Sequence, residues 1–222
     1  MKKFISTIVL AGLLAISGIH VGEMIQDGWK PAVPAVQKIT DTFRIINGEA
    51  WITLDSVNAY SYEQFRENLI IVKARKINKM HLIMLNPGGS IYHMWSMYDM
   101  LKAAIDNDGL ILYTHMHNFI ASAAVPIFLL GEVRTMQPHG YIMIHSHNVP
   151  QSDHQPETFN AMVAQWTESY IAILLERTTM SEEEIRKYLC NDGNPRIQFW
   201  MNYSMAEARG FLKPALETTE VS

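Results

Sequence analysis

Ser122 lies in Phe119-Ile120-Ala121-Ser122-Ala123-Ala124, flanked by alanines and ahead of an apolar run closed by Gly131. A serine at the N-terminal end of a helix is sterically open and sits where amide N–H groups face a developing negative charge, which suits a nucleophile. The ordinary alternative is a helix N-cap. His145 ends the apolar run Tyr141-Ile142-Met143-Ile144-His145. An imidazole at the carboxyl end of a strand, on the edge where Ser122 lies, suits a general base. A second turn, Asn86-Pro87-Gly88-Gly89-Ser90, follows the apolar run His81–Leu85. Its paired glycines let bare backbone N–H groups approach a ligand, and Ser90 can cap the next helix. The turn lacks the Gly-Lys-Ser/Thr ending of a phosphate loop.

Metal binding is the competing chemistry. His115-Met116-His117 and His145-Ser146-His147 each put two imidazoles on one side of an extended segment, as zinc ligands are often placed. Neither motif contains Asp or Glu and no HExxH is present, so His115, His117 and His147 read as structural, and no metal or cofactor is expected. The 14 methionines, Met94 and Met143 among them, read as core filler. Trp95, Trp166, Trp200 and Tyr170 read as core or subunit-contact aromatics.

These side chains must be held by alternating elements. Strands are expected near Ala50–Leu54, His81–Leu85, Leu110–Thr114 and Tyr141–His145. Helices are expected over Ser61–Ile77, Ser90–Ile105, Ser122–Leu130, Glu157–Arg177, Ser181–Leu189 and Ser204–Ala208. Such alternation implies right-handed crossovers and a largely parallel sheet, whose ligands gather at the carboxyl ends of strands. The chain of 222 residues has room for one globular core plus an appendage. Hydrophobic residues at 48% and charged residues at 18% exclude disorder and a multi-spanning membrane protein. Lys+Arg 18 against Asp+Glu 22, a net charge of −4, argues against nucleic acid as a partner. The single Cys190 has no thiol with which to pair.

The N-terminus carries Lys2 and Lys3, an apolar run from Phe4 to Ile16, and the small residues Ser17 and Gly18. That pattern reads as an export signal or membrane anchor over residues 1–17, directing the protein to the cell envelope. Residues 18–48 read as a linker or N-terminal segment, 49–214 as the catalytic domain and 215–222 as a tail.

Leu85-Asn86-Pro87-Gly88-Gly89-Ser90, Ala121-Ser122-Ala123 and Met143-Ile144-His145, in that order, resemble the ClpP caseinolytic serine proteases of the crotonase-like superfamily. The resemblance runs from about Glu49 to Leu212 and includes Trp51-Ile52-Thr53-Leu54 and Ala206-Glu207-Ala208-Arg209-Gly210. It implies an α/β fold of repeated β-β-α units with a protruding handle helix at Glu157–Arg177. It makes Ser122 the nucleophile and His145 the base, and gives the oxyanion hole to Gly89 and the amide of Ala123. The third triad member falls on Asp192 or on Gln198, depending on how an apparent insertion is aligned. Asn86 stands where serine is commoner in the family, and Pro126 sits in the nucleophile helix. The implied activity is endopeptidase cleavage of peptides or unfolded proteins. The alternatives are a signal peptide peptidase-like serine-lysine protease and a catalytically degenerate scaffold. The implied assembly is a homo-oligomer of stacked rings, with Trp166 and Tyr170 in the ring-to-ring contact. An ATP-driven unfoldase partner conflicts with the export signal.

Overall fold

The computed structural model describes residues 36–146, 157–190 and 197–215. In chain order the elements are β1 (Val36–Lys38), β2 (Phe43–Ile46), β3 (Glu49–Leu54), α1 (Ala59–Ala74), β4 (Lys79–Asn86), α2 (Ile91–Asp108) and β5 (Ile111–Ala121). There follow α3 (Ala124–Leu129), β6 (Val133–Met136), β7 (Tyr141–His145), α4 (Glu157–Arg177), α5 (Glu182–Leu189), β8 (Gln198–Met201) and α6 (Tyr203–Ala208). The strands form one sheet in the order β1-β2-β3-β4-β5-β7-β8, with β6 also paired to β5. Pairing is parallel from β3 through β5 and onward to β6 and β7, and antiparallel at both margins.

Alternation on the strands sets the layers. Ala50, Ile52 and Leu54 on β3, Met80, Leu82 and Met84 on β4, and Leu112 and Met116 on β5 join one core with Phe65, Leu69 and Val72 of α1 and Met94, Met97 and Leu101 of α2. α1 starts two residues earlier than the periodicity suggests. Asn58 and Ser61 form a reciprocal capping box there, which satisfies N–H groups that the first turn leaves unpaired.

β5 is the element that positions the site. The sequence predicts a strand ending at Thr114, but the strand continues through His115–Ala121 to the Ser122 turn. Its register with β4 runs from Lys79↔Ile111 to Met84↔Met116, then resumes at Asn86↔Ile120, so β5 carries two extra residues. Asn118, in left-handed backbone at φ 64°, lies in this bulge. Before the bulge β5 pairs with β6, and after it Phe119–Ala121 pair with Tyr141–Met143 of β7. The change of neighbour brings the ends of β5 and β7 side by side.

The helix expected over Glu157–Arg177 is present as α4. Tyr170 is not available for the expected ring-to-ring contact, because it is 1% exposed within its own chain. Trp166 is half-buried and meets Tyr92 edge-on, with ring centroids 5.0 Å apart. Strands β1, β2, β6 and β8 were not anticipated. The apolar run Phe4–Ile16 and Asp192 lie outside the described residues. Among the described residues no helix is long and apolar enough to cross a membrane.

Candidate active site

Ser122 follows the last residue of β5 and precedes α3, whose N-cap is Ala123 without a side-chain cap bond. Ser122 is therefore not a cap. Its φ of 56° lies in the left-handed region, which costs a non-glycine residue about 1 kcal/mol or more. Long-range bonds hold it there. Its N–H donates to the Met143 carbonyl at 2.8 Å, and its carbonyl accepts from the Val125 N–H at 3.1 Å and the Tyr170 hydroxyl at 3.3 Å. The turn swings the side chain out of the strand direction toward β7. There the Ser122 Oγ lies 2.8 Å from Nε2 of His145, a hydrogen bond in which the hydroxyl donates when the imidazole proton is on Nδ1.

The Pro87-Gly88-Gly89 turn lies against this pair. A methyl group added at Gly88 would stand 2.6 Å from the Ala121 carbonyl oxygen, 2.9 Å from Ser122 Cβ and 3.0 Å from the Ala123 nitrogen, so only glycine fits. Asn86, fully buried, holds the turn from behind. Its Oδ1 accepts the Gly88 N–H at 2.8 Å and its Nδ2 donates to the Leu54 carbonyl of β3 at 3.2 Å. The Gly88 carbonyl accepts the Val57 N–H at 3.0 Å, and the Ser90 N–H returns to the Val57 carbonyl at 2.7 Å. Because a trans peptide is planar, fixing the Gly88 oxygen toward Val57 turns the Gly89 N–H the opposite way. Among the described residues the Gly89 and Ala123 N–H groups have no hydrogen-bond partner.

Burial pushes the His145 imidazole below its usual range. The neutral form is the one that can accept the serine proton, so this shift keeps the pair competent under mildly acidic conditions. The acid limb of kcat/KM, measured with a peptide substrate, is expected to have its midpoint below about 6.5. A midpoint at or above 7 would contradict a burial-dominated His145 and require a carboxylate against Nδ1. Among the described residues no side chain bonds Nδ1. Gln198 is the register partner of His145, but its Oε1 accepts from Trp200 Nε1 at 3.0 Å instead. The alignment that gives the triad position to Gln198 thus finds no bond from that side chain to His145. The other alignment gives it to Asp192, outside the described residues.

On β5, His115 is taken up in a hydrogen-bonded chain of side chains. Nδ1 of His115 meets Thr135 Oγ1 at 2.8 Å, and its Nε2 lies 2.9 Å from Nδ1 of His81. His81 Nε2 in turn lies 2.8 Å from Glu49 Oε2. The four side chains form a diagonal across β3, β4, β5 and β6, with His81 stacked between Trp51 and Tyr113 at centroid distances of 3.9 and 4.6 Å. Burial, reinforced by His81 and His117, pushes His115 down to about 4, so both ring nitrogens serve neutral hydrogen bonds. His117 is exposed, and His147 lies outside the described residues. Among the described residues no group of three or more His, Cys, Asp or Glu side chains could hold a metal ion.

The sequence missed Tyr170, Val57 and the Glu49–His81 diagonal, all contacts between distant segments. Asn86 was visible only as an oddity of its turn.

The Clp protease family model matches residues 35–218. A search of curated proteins found no match. Among solved structures, the ClpP protease catalytic domain from Plasmodium falciparum is similar at 21% identity and a TM-score of 0.59, over 76% of this chain and 85% of that one. ClpP1 from Listeria monocytogenes is similar at 18% identity and a TM-score of 0.59, over 74% of this chain and 88% of that one. With the match spanning the whole α/β body, from before β1 to beyond α6, the chain belongs to the Clp protease family.

Proposed function

We propose that this protein is a serine endopeptidase that cleaves peptides or unfolded proteins through Ser122 and His145. The observation that carries the reading is the 2.8 Å contact between Ser122 Oγ and His145 Nε2, made from a left-handed serine beside the Gly89 and Ala123 amides, which have no partner among the described residues. His145 takes the hydroxyl proton as Oγ attacks the scissile carbonyl carbon. The oxyanion that forms is met by the N–H groups of Gly89 and Ala123. The imidazolium of His145 returns its proton to the leaving amine as the C–N bond breaks, giving an acyl-serine and a free amine. Water then attacks the ester, loses its proton to His145, and releases the carboxylate product with Ser122 regenerated. Family membership supports a ClpP-like peptidase in general terms. Assembly into stacked rings, delivery to the cell envelope through Phe4–Ile16 and the domain limits at 49 and 214 belong to the same proposal.

A fluorophosphonate probe tests it. The parent protein is expected to be labelled at Ser122, with labelling absent in Ser122→Ala and slowed strongly in His145→Ala. An unlabelled parent would favour a degenerate scaffold. A serine-lysine enzyme is less well supported, since among the described residues no lysine contacts Ser122 and the imidazole holds that position.

A further inference from the structure

The Ser122 carbonyl accepts two hydrogen bonds, from the Val125 N–H and from the Tyr170 hydroxyl. In a regular helical turn a carbonyl takes the N–H four residues ahead, which here would be residue 126. That residue is Pro126, buried in the first turn of α3 and without an N–H to give. The Tyr170 hydroxyl reaches from α4, 48 residues along the chain, to the carbonyl that the proline leaves short. Burial pushes the Tyr170 phenol well above its usual range, so it remains a protonated donor at any working pH. The Ser122 carbonyl and the Ala123 N–H belong to one planar peptide and point in opposite directions. Anchoring the oxygen to Tyr170 therefore aims the N–H away from α4.

We propose that Tyr170 is a positioning residue for the oxyanion hole: its hydroxyl pins the Ser122–Ala123 peptide plane in place of the N–H absent at Pro126. This rests on reading Ser122 as the nucleophile. Tyr170 touches no reacting atom. Its effect falls on the tetrahedral state, where the Ala123 N–H is used, and not on ground-state binding. Val57 performs the matching task for the Gly88–Gly89 peptide, whose oxygen accepts its N–H, while Asn86 holds the preceding Pro87–Gly88 peptide.

The test is Tyr170→Phe, which keeps the ring and removes one oxygen. Rates on N-blocked peptidyl aminocoumarin amides are referred to the folded fraction measured by near-ultraviolet circular dichroism. The expected result is a kcat lowered about tenfold with KM within about twofold of the parent. The midpoint of the acid limb should stay where it is, because His145 is untouched. Affinity for a peptide boronate, which forms a tetrahedral adduct on Ser122, should fall by a factor similar to that of kcat. A residue that merely supports the core would lower stability and leave kcat per folded molecule and boronate affinity unchanged. Adding Pro126→Ala to Tyr170→Phe restores an N–H opposite the Ser122 carbonyl and should recover about threefold or more of the lost kcat. Parental kcat and boronate affinity in Tyr170→Phe, or a loss confined to KM, overturns the proposal. Ser122→Ala is measured alongside. If that variant hydrolyses the amide as fast as the parent, the nucleophile assignment fails first, and Tyr170 has no hole to position.

Discussion

Ser122→Ala is expected to lower peptide hydrolysis by about three orders of magnitude or more while leaving the protein folded. The substitution removes one oxygen from a half-buried side chain whose only described hydrogen bond is to His145. The backbone that holds the turn is untouched, since the bonds to Met143, Val125 and Tyr170 are all made by main-chain atoms of residue 122. Alanine tolerates the left-handed φ about as poorly as serine, so stability should change by no more than about 1 kcal/mol. His145→Ala should approach the same loss in rate, because a hydroxyl without its base is a poor nucleophile at neutral pH. The double variant should be scarcely worse than either single one, as expected for groups that act as a unit. Hydrolysis of a fluorescein-labelled casein and circular dichroism decide the matter. Undiminished activity in folded Ser122→Ala would remove this residue from the chemistry.

Gly88→Ala is expected to be nearly as damaging, by a different route. A Cβ at this position meets the Ala121 oxygen at 2.6 Å and Ser122 Cβ at 2.9 Å, and neither is the end of a flexible side chain. The residue also sits at φ 92°, where an L side chain is strained whatever the space. The two turns must separate by a few tenths of an ångström or more, which shifts both amides proposed for the oxyanion hole. A loss of about a hundredfold in kcat is expected, with about 2–3 kcal/mol lost from urea unfolding. Gly89→Ala collides with the Val57 carbonyl oxygen and should behave similarly. The contrast with Ser122→Ala is diagnostic: one variant loses rate and keeps stability, whereas the glycine variants lose both. A fully active, fully stable Gly88→Ala would mean that the turns do not touch as described.

The residues legible in the sequence are those at element ends. Ser122 could be found because it opens an apolar run between alanines and His145 because it closes one, and a parallel sheet collects such strand-to-helix turns and strand ends on one edge. The limits of β5 could not, because His115-Met116-His117-Asn118 breaks the apolar pattern that defines a strand. The structure shows that β5 bulges just after Met116 and that His115 is occupied by His81 and Thr135. β1, β2, β6 and β8 have three or four residues each, too few for a period of two to stand out. From the sequence, Tyr170 reads as a core or subunit-contact aromatic because its helix has apolar residues on more than one side. Only the fold reveals that this hydroxyl ends at Ser122. No local pattern encodes a bond across 48 residues.

With Ser122 as the proposed nucleophile, the bonds that hold it also determine when a reactive serine can exist. Its N–H is tied to Met143, its carbonyl to Tyr170 and its hydroxyl to His145, and β5 reaches that position only after pairing with β4 and β7. Such pairings join segments about 20 to 50 residues apart, and loop-closure entropy delays them relative to local helices. A chain still being synthesised can form α1 or α2 long before residue 170 has been added, and at that stage residue 122 has no reason to adopt its strained φ. The Ser122–His145 pair is therefore a product of complete folding. A nascent or partly unfolded copy needs no separate device to keep its serine from attacking neighbouring chains.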